Sequence, residues 1–165
     1  MAKRMTAREL AERKKRGQKI LKILKKLLPN AKIVLKYSNN WELLVAVVLS
    51  AQCTDKKVNE VTAKLFKKYR ALNDYVKASV SRRTIAEFEK AIRPTGFYRN
   101  KTKNILAAAK VVKGKFRGKL PKTMAEMLAI PGIGRKSANV ILGNAYGVVE
   151  GIAVDTPVGR VARVL

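Results

Sequence analysis

The fold is decided by a stretch that reads Leu128-Ala129-Ile130-Pro131-Gly132-Ile133-Gly134-Arg135-Lys136-Ser137-Ala138-Asn139. Within it a short helix ends, a Pro-Gly-Ile-Gly turn follows, and a second helix begins at once. Gly132 and Gly134 allow backbone conformations and close approaches that other residues do not. The free N–H groups and the positive dipole end of the second helix can hold a phosphate there. The stretch therefore predicts a helix-hairpin-helix packed through Ile130 and Ile133, although a Gly-x-Gly turn also joins helices that bind nothing.

The chain on both sides of this hairpin has the hydrophobic spacing of helices. Apolar residues recur at helical intervals, which predicts an all-α protein. Leu43–Leu49 indicates a buried helix, and Arg135–Tyr146 indicates another with Gly147 as its C-cap. A further helix is predicted over Asn104–Val112. Lys32–Tyr37 has an ambiguous, strand-like pattern.

Polar residues before several of these runs predict where helices begin. Two pairs have the spacing of a capping box: Asn39 with Glu42, and Thr123 with Glu126. Thr156 is predicted as the N-cap of the last helix, with Pro157 at its first helical position.

The composition indicates an anionic partner. The 165 residues include 37 Lys+Arg and 11 Asp+Glu, which gives a formal net charge of +26. This charge favours nucleic acid first and an anionic membrane surface second, and a lysine-rich composition with no such partner is the remaining interpretation. The basic segment 1–17 is interpreted as a solvated arm that faces DNA, with a targeting or membrane-surface helix as the alternative.

Two residue types exclude several kinds of site. The chain has no histidine, so it cannot form Ser/His/Asp or Cys/His catalytic arrangements or His-ligated metal sites. Its one cysteine, Cys53, cannot close an internal disulfide, and alone it cannot hold zinc or an iron–sulfur cluster. We therefore expect no metal or cofactor in this chain and a reducing, cytoplasmic location.

Lys136 and Asp155 are the residues that best fit chemistry beside a bound phosphate. Lys136 is predicted in the first turn of the second hairpin helix, and Asp155 follows the apolar residues Ile152-Ala153-Val154. An amine beside a carboxylate suits Schiff-base chemistry at a sugar carbon. Because a lysine amine is almost fully protonated at neutral pH, we expect Asp155 to accept its proton or to stabilise a cationic sugar. A phosphate-contacting lysine and a helix-capping aspartate are the alternatives.

Four motifs lie in order along residues 18–165: Leu49-Ser50-Ala51-Gln52-Cys53-Thr54-Asp55, Thr95-Gly96-Phe97-Tyr98-Arg99-Asn100-Lys101, Ile130-Pro131-Gly132-Ile133-Gly134-Arg135-Lys136, and Ala153-Val154-Asp155-Thr156. Together they resemble the endonuclease III family of DNA glycosylases, in the helix-hairpin-helix superfamily. The resemblance implies an all-α fold of two lobes with a DNA cleft between them.

The resemblance also implies how the chain is divided. We expect a basic arm (1–17), an N-terminal helix and linker of the second lobe (18–38), a helical-bundle lobe that contains the hairpin (39–150), and the start of a truncated C-terminal lobe (151–165). The family normally continues with further helices and four cysteines that hold a four-iron four-sulfur cluster, which this sequence lacks. An incomplete second lobe with an exposed apolar face on the last helix is the expected consequence.

The activity implied by the resemblance is removal of oxidised pyrimidines from duplex DNA, followed by β-elimination at the abasic sugar. Lys136 would attack C1′ and form a Schiff base, while Asp155 would assist the amine and the developing oxocarbenium. Gln52 would fill the gap left by the flipped-out nucleotide, and Phe97 would enter the opposite strand as a wedge. The other DNA contacts are expected from Lys101, Gly132, Ile133, Gly134 and Arg135.

One residue departs from the family pattern at the site itself. Pro157 stands where the family usually has a histidine, so any role of an imidazole is lost. We expect a monomer, nucleoid-associated in a prokaryote, that binds damaged or abasic duplex DNA and no membrane. A non-catalytic, sequence-independent DNA-binding module is the second hypothesis, and a membrane-surface role of the basic N-terminal helix is the third.

Overall fold

The protein is a helical chain, as the sequence predicts. The computed structural model describes residues 5–164, and within that range it contains nine α-helices, one 3-10 turn and no strand. Residues 1–4 and 165, at the ends of the predicted arm and of the predicted truncated lobe, lie outside the described residues. Contacts divide the chain into two compact units, Met1–Ile33 and Val34–Leu165.

From residue 5 onward, the first unit contains one helix, α1 (Ala7–Leu27). It begins at a capping box, in which the Thr6 side chain accepts the Glu9 N–H and the Glu9 carboxylate accepts the Thr6 N–H. The boundary that we placed between the arm 1–17 and the helix 18–38 therefore falls inside a continuous helix. Gly17 does not interrupt it, because a glycine in a helix interior costs only about 1 kcal/mol relative to alanine.

The second unit contains the remaining elements. They are α2 (Asn40–Leu49), α3 (Asp55–Lys68), α4 (Leu72–Ala78), α5 (Arg82–Ile92), a 3-10 turn (Arg93–Thr95), α6 (Tyr98–Lys115), α7 (Met124–Leu128), α8 (Arg135–Tyr146) and α9 (Thr156–Val164). The bounds of α8 are those that the sequence predicts, and Gly147 caps its end with φ +67°. By contrast, α6 begins six residues before the predicted Asn104 and continues past Gly114.

The core of the second unit is built around α2, whose residues Trp41–Leu49 are all buried. This helix packs against α3, α6 and α8, and α6 also packs against α4 and α5. Tyr75 lies at the centre of an aromatic cluster, with ring centroids 5.2, 5.5 and 5.7 Å from those of Trp41, Tyr69 and Phe88. The predicted buried helix at Leu43–Leu49 is thus confirmed.

Each of the two predicted capping boxes forms only one of the two hydrogen bonds that define the motif. Asn39 accepts the Glu42 N–H at 2.9 Å, but the Glu42 carboxylate accepts the Ser38 N–H and not that of Asn39. Thr123 accepts the Glu126 N–H, while the Glu126 carboxylate takes the Thr123 hydroxyl. In both cases the carboxylate bonds a donor other than the N-cap amide, which the spacing of residue types does not reveal.

Two further expectations concern the ends of this unit. Lys32–Tyr37 is a loop, in which the Asn59 side chain accepts the Lys36 N–H and donates to the Val34 carbonyl. The apolar side chains of α9 are exposed at Val158, Val161 and Val164, which confirms the predicted apolar face. Among the described helices, none combines the length and the apolar composition needed to cross a membrane.

Candidate active site and nucleic-acid interface

The hairpin joins α7 to α8 through a turn held by two buried isoleucines. Ile130 and Ile133 are both buried, as the sequence predicts, and the Ile133 N–H donates to the Ile130 carbonyl at 3.1 Å. Ile133, which we predicted to contact DNA, therefore has both its side chain and its amide engaged inside the protein. Ile133 therefore shapes the turn, whereas its neighbours Gly132 and Gly134 are exposed to solvent.

The two glycines of the turn play different parts. Gly132 has φ +80°, and a Cβ built there would lie 2.7 Å from the Cβ of Asn104 on α6. A side chain at this position would be both strained and in collision. Gly134 has an ordinary φ of −94°, and a Cβ there would meet no atom within 4 Å. The expectation that both glycines need a special backbone is correct for Gly132 only, and Gly134 leaves open space at the start of α8.

The start of α8 has the features of an anion site. Within the described part of the chain no side chain caps it, and its first intrahelical bond runs from the Ala138 N–H to the Gly134 carbonyl. The N–H groups of Arg135, Lys136 and Ser137 precede that bond, so they face outward at the positive end of the helix dipole. Arg135 is exposed beside them. This geometry suits one phosphate group.

Lys136 and Asp155 converge beside this helix start. The Lys136 Nζ lies 3.3 Å from the Asp155 Oδ2, and the two side chains are 53% and 37% exposed. The other carboxylate oxygen of Asp155 accepts the Val158 N–H at 3.0 Å. One oxygen is thus fixed by α9 while the other faces the amine. The alternatives weighed for Asp155, a catalytic carboxylate and a helix cap, are therefore compatible in one residue.

Asp155, and not Thr156, is the N-cap of α9. Its carbonyl accepts the first intrahelical bond, from the Gly159 N–H, and its side chain accepts the Val158 N–H. The predicted cap was wrong by one residue, because aspartate precedes threonine here and is the stronger capping type. Pro157 therefore occupies the second helical position, where a missing N–H leaves no helix bond unmade.

The environment keeps the Asp155 carboxylate ionised. The Val158 N–H holds the pKa of Asp155 below its ordinary value, and the Lys136 ammonium lowers this pKa further. The apolar neighbours Ile152 and Val154 are exposed, so the apolar surroundings that the sequence suggested are not formed around the carboxylate. The pair is consequently an open, solvated arrangement whose position is set by hydrogen bonds.

The loop that carries Asp155 is fixed by side chains that the sequence did not single out. Asn139, one turn along α8 from Lys136, donates to the Ile152 carbonyl at 3.4 Å. The Glu150 carboxylate accepts the Met124 N–H at 3.4 Å, so the loop is also attached to the start of α7. Neither contact has a local sequence signal, because each joins residues whose proximity only the tertiary fold creates.

Gln52 and Phe97 face the same cleft as the hairpin. Both are exposed, Phe97 by 67%, and both have left-handed backbones, with φ of 51° and 48°. They line a cleft of about 240 Å³ whose wall includes Gly132 and Ser137. The structure therefore brings together the two residues expected to enter the duplex and the turn expected to hold its backbone.

Lys101 does not present its ammonium to a DNA surface as we predicted. The residue is only 5% exposed, and its Nζ donates to the carbonyls of Leu49 and Thr95, at 2.8 Å each. Burial lowers the pKa of this ammonium. The sequence motif suggests a basic residue at the surface, whereas the fold buries this side chain against the Leu49 and Thr95 carbonyls.

The residues present do not fit the iron–sulfur cluster of the family that this chain resembles. Such a cluster needs four cysteine thiolates, and this chain has Cys53 alone. Residues 5–164 contain no group of three or more His, Cys, Asp or Glu side chains placed to hold a metal ion.

Comparison with known proteins gives consistent matches. Residues 45–165 match the family described as HhH-GPD superfamily base excision DNA repair protein. Endonuclease III of Synechocystis sp. is 44% identical over 156 residues, which cover 94% of this chain and 69% of that relative. The curated endonuclease III relatives that the chain matches are longer, since it spans between 60% and 69% of their length.

Two solved structures are similar in both fold and sequence. One is a non-covalent endonuclease III–DNA complex, and the other is a trapped endonuclease III–DNA covalent intermediate with an estranged adenine. Each superposes with a TM-score of 0.82 at 44% identity and covers 90% of this chain and 67% of the other.

Proposed function

This chain belongs to the endonuclease III family of HhH-GPD base excision DNA repair proteins, and from that premise we propose that it removes oxidised pyrimidines from duplex DNA and cleaves the abasic strand. The observation that carries the proposal is the 3.3 Å approach of the Lys136 amine to the Asp155 carboxylate beside the hairpin. The related protein captured as a covalent DNA intermediate supports a covalent step.

In the proposed reaction Asp155 accepts a proton from the Lys136 ammonium, and the free amine attacks C1′ of the damaged nucleotide. The bond from C1′ to the base breaks as the bond to Lys136 forms, and the base leaves with the electron pair. The nitrogen bound to C1′ then loses one proton to the departing base, the C1′–O4′ bond opens to a protonated Schiff base, and O4′ takes up the proton held by Asp155. Loss of a C2′ proton expels the 3′ phosphate by β-elimination, and water hydrolyses the imine to release the enzyme.

The surrounding residues hold the DNA for this step. The uncapped start of α8 and the exposed Arg135 bind the phosphate backbone, and the open space at Gly134 lets that backbone approach. Gln52 and Phe97 enter the duplex where the damaged nucleotide has been flipped out. The net charge of +26 draws the polyanion to the protein without sequence preference.

A non-catalytic DNA-binding module is the second candidate function. The observation that favours it is the openness of the Lys136–Asp155 pair, whose side chains are 53% and 37% exposed. A solvated ion pair gives weaker electrostatic assistance than a site that excludes water. Such a module would bind duplex DNA through the hairpin and form no covalent intermediate.

Reductive trapping separates the two candidates. The full chain is incubated with borohydride and a duplex that contains an abasic site, and the covalent adduct is measured on a denaturing gel. We expect an adduct with the wild type and none with Lys136→Ala. Lys110→Ala is the matched control, because it removes an exposed lysine and the same charge from α6.

Each outcome decides between the proposals. Salt-sensitive binding by the wild type without any adduct would establish the non-catalytic module. An adduct of equal yield with Lys136→Ala would show that another amine is the nucleophile. A second duplex with an oxidised pyrimidine then tests base removal, which we expect only from variants that keep Lys136.

A further inference from the structure

A buried lysine connects the two loops that face the DNA cleft. The Lys101 ammonium, on α6, donates to the carbonyl of Leu49, the last residue of α2, and to that of Thr95, which ends the 3-10 turn. Both distances are 2.8 Å, typical of charge-assisted bonds. The carbonyl at the end of α2 lies at the negative end of that helix dipole, which favours a cation there.

The two carbonyls lie just before the two residues expected to enter the DNA. Leu49 is three residues from Gln52, and Thr95 is two residues from Phe97. Among the described residues only three that are not glycine have a positive φ, and Gln52 and Phe97 are two of them. A left-handed conformation at such a residue persists only where the surrounding structure holds it.

The same lysine also borders the cleft itself. Lys101, Gln52 and Phe97 line the space of about 240 Å³ that the hairpin closes at Gly132. The lysine has no carboxylate among the ion pairs of residues 5–164, so its charge is satisfied chiefly by main-chain carbonyls. Removing an ammonium from water is costly even where two carbonyls accept its hydrogen bonds, which makes a purely stabilising role a poor explanation.

We propose that Lys101 is a positioning residue that holds the Gln52 and Phe97 turns at a fixed separation, so that both side chains enter the duplex together. The inference rests on the proposed function, because it concerns how a flipped-out or abasic site is recognised. Lys101 touches no reacting atom in this view and acts through the two loops. Its loss should weaken recognition of the gap while backbone binding by the hairpin remains.

The experiment measures binding to two duplexes of one sequence, one intact and one with a tetrahydrofuran abasic analogue. We expect Lys101→Met to lower the preference for the abasic duplex by about tenfold, equivalent to about 1.4 kcal/mol. Affinity for the intact duplex should stay within about twofold. Lys103→Met is the matched control, since Lys103 is an exposed lysine of the same helix.

A mutant cycle distinguishes positioning from a merely structural role. In a Gln52→Ala/Phe97→Ala background, Lys101→Met should change the preference no further, because the side chains that it positions are gone. An equal loss of preference in both backgrounds would overturn the inference. A wild type with no preference for the abasic duplex would refute the proposed function and this inference together, whereas a preference that Lys101→Met retains would refute the inference alone.

Folding of the variants is checked by thermal unfolding. If Lys101→Met does not fold, Lys101→Arg carries the same cycle, since it keeps the charge and the donors but lengthens the side chain. A folded Lys101→Arg should show a reduced abasic preference, and an unchanged one would overturn the inference. If both variants unfold, the lysine serves the fold itself and the positioning role is refuted.

Discussion

Alanine at Gly132 should destabilise the fold strongly, whereas alanine at Gly134 should leave its stability nearly unchanged. At Gly132 the left-handed backbone costs an alanine about 1–2 kcal/mol. The new Cβ would also lie 2.7 Å from the Asn104 Cβ, and relieving such overpacking typically costs about 1–3 kcal/mol. The free energy of unfolding should therefore fall by about 2–5 kcal/mol, which lowers Tm by roughly 4–20 °C.

At Gly134 the two effects of alanine nearly cancel. Alanine is a poorer N-cap than glycine by about 0.5–1 kcal/mol. It also reduces the conformational freedom of the unfolded chain, which returns about 0.4–1 kcal/mol. Since no atom lies within 4 Å of the new Cβ, we expect a change in unfolding free energy of less than about 0.5 kcal/mol.

DNA affinity should respond differently from stability. A methyl group at Gly134 projects where the phosphate would approach, so it should weaken one or two charge-assisted hydrogen bonds. Each is worth about 1.5–3 kcal/mol, and the Kd for intact duplex should rise by about tenfold or more. Urea unfolding and equilibrium binding of both variants measure the two effects separately.

The Asn104 contact can be isolated by a double-mutant cycle. Asn104→Gly removes the Cβ with which the new methyl group of Gly132→Ala would collide. The double variant should therefore lose less stability than the two single variants lose in sum. The left-handed strain remains, and rescue should therefore be partial. Equal stabilities of the Gly132→Ala and Gly134→Ala variants, or strict additivity in the cycle, would contradict the predicted clash with Asn104.

The remaining predictions concern the charged groups of the site. Because the folded state lowers the pKa of Asp155 below its ordinary 3.8, its ionised form stabilises the protein above that pH, and this contribution is lost as pH falls through the folded pKa. Asp155→Asn, which keeps a capping side chain, should flatten the fall in Tm between about pH 6 and pH 2, and identical acid profiles would contradict this. Arg135→Ala should reduce the log–log salt slope of duplex binding by about 0.9, and an unchanged slope would mean that Arg135 contacts no phosphate.

The sequence predicted most of the local structure because that structure depends on near neighbours. Apolar spacing and end signals gave α8 its bounds at Arg135 and Tyr146, and the Pro-Gly-Ile-Gly turn identified the hairpin. The same signals misplaced the start of α6, since Phe97 enters it in a left-handed conformation that no residue preference suggests. Local patterns state which face of a helix is buried, and they do not state what covers it.

Several features of the site that the sequence missed depend on contacts between distant segments. The resemblance places Lys101 among the DNA contacts, yet the carbonyls of Leu49 and Thr95 supply acceptors that exist only in the fold. The need for glycine at 132 comes from Asn104, which lies on another helix. Residue type indicates which chemical group each side chain carries, whereas the tertiary fold determines which other groups that side chain contacts.

The double role that we propose for Asp155 would link catalysis to the formation of a helix. One carboxylate oxygen is fixed by the Val158 N–H, so the direction of the other toward Lys136 is set by where α9 begins. A solvated pair, 53% and 37% exposed, has little packing to hold it, and this cap together with the Asn139 bond supplies the restraint. It follows that any change that frays the first turn of α9 should release the carboxylate from the amine before it alters the hairpin, and adduct formation should be lost while duplex binding persists.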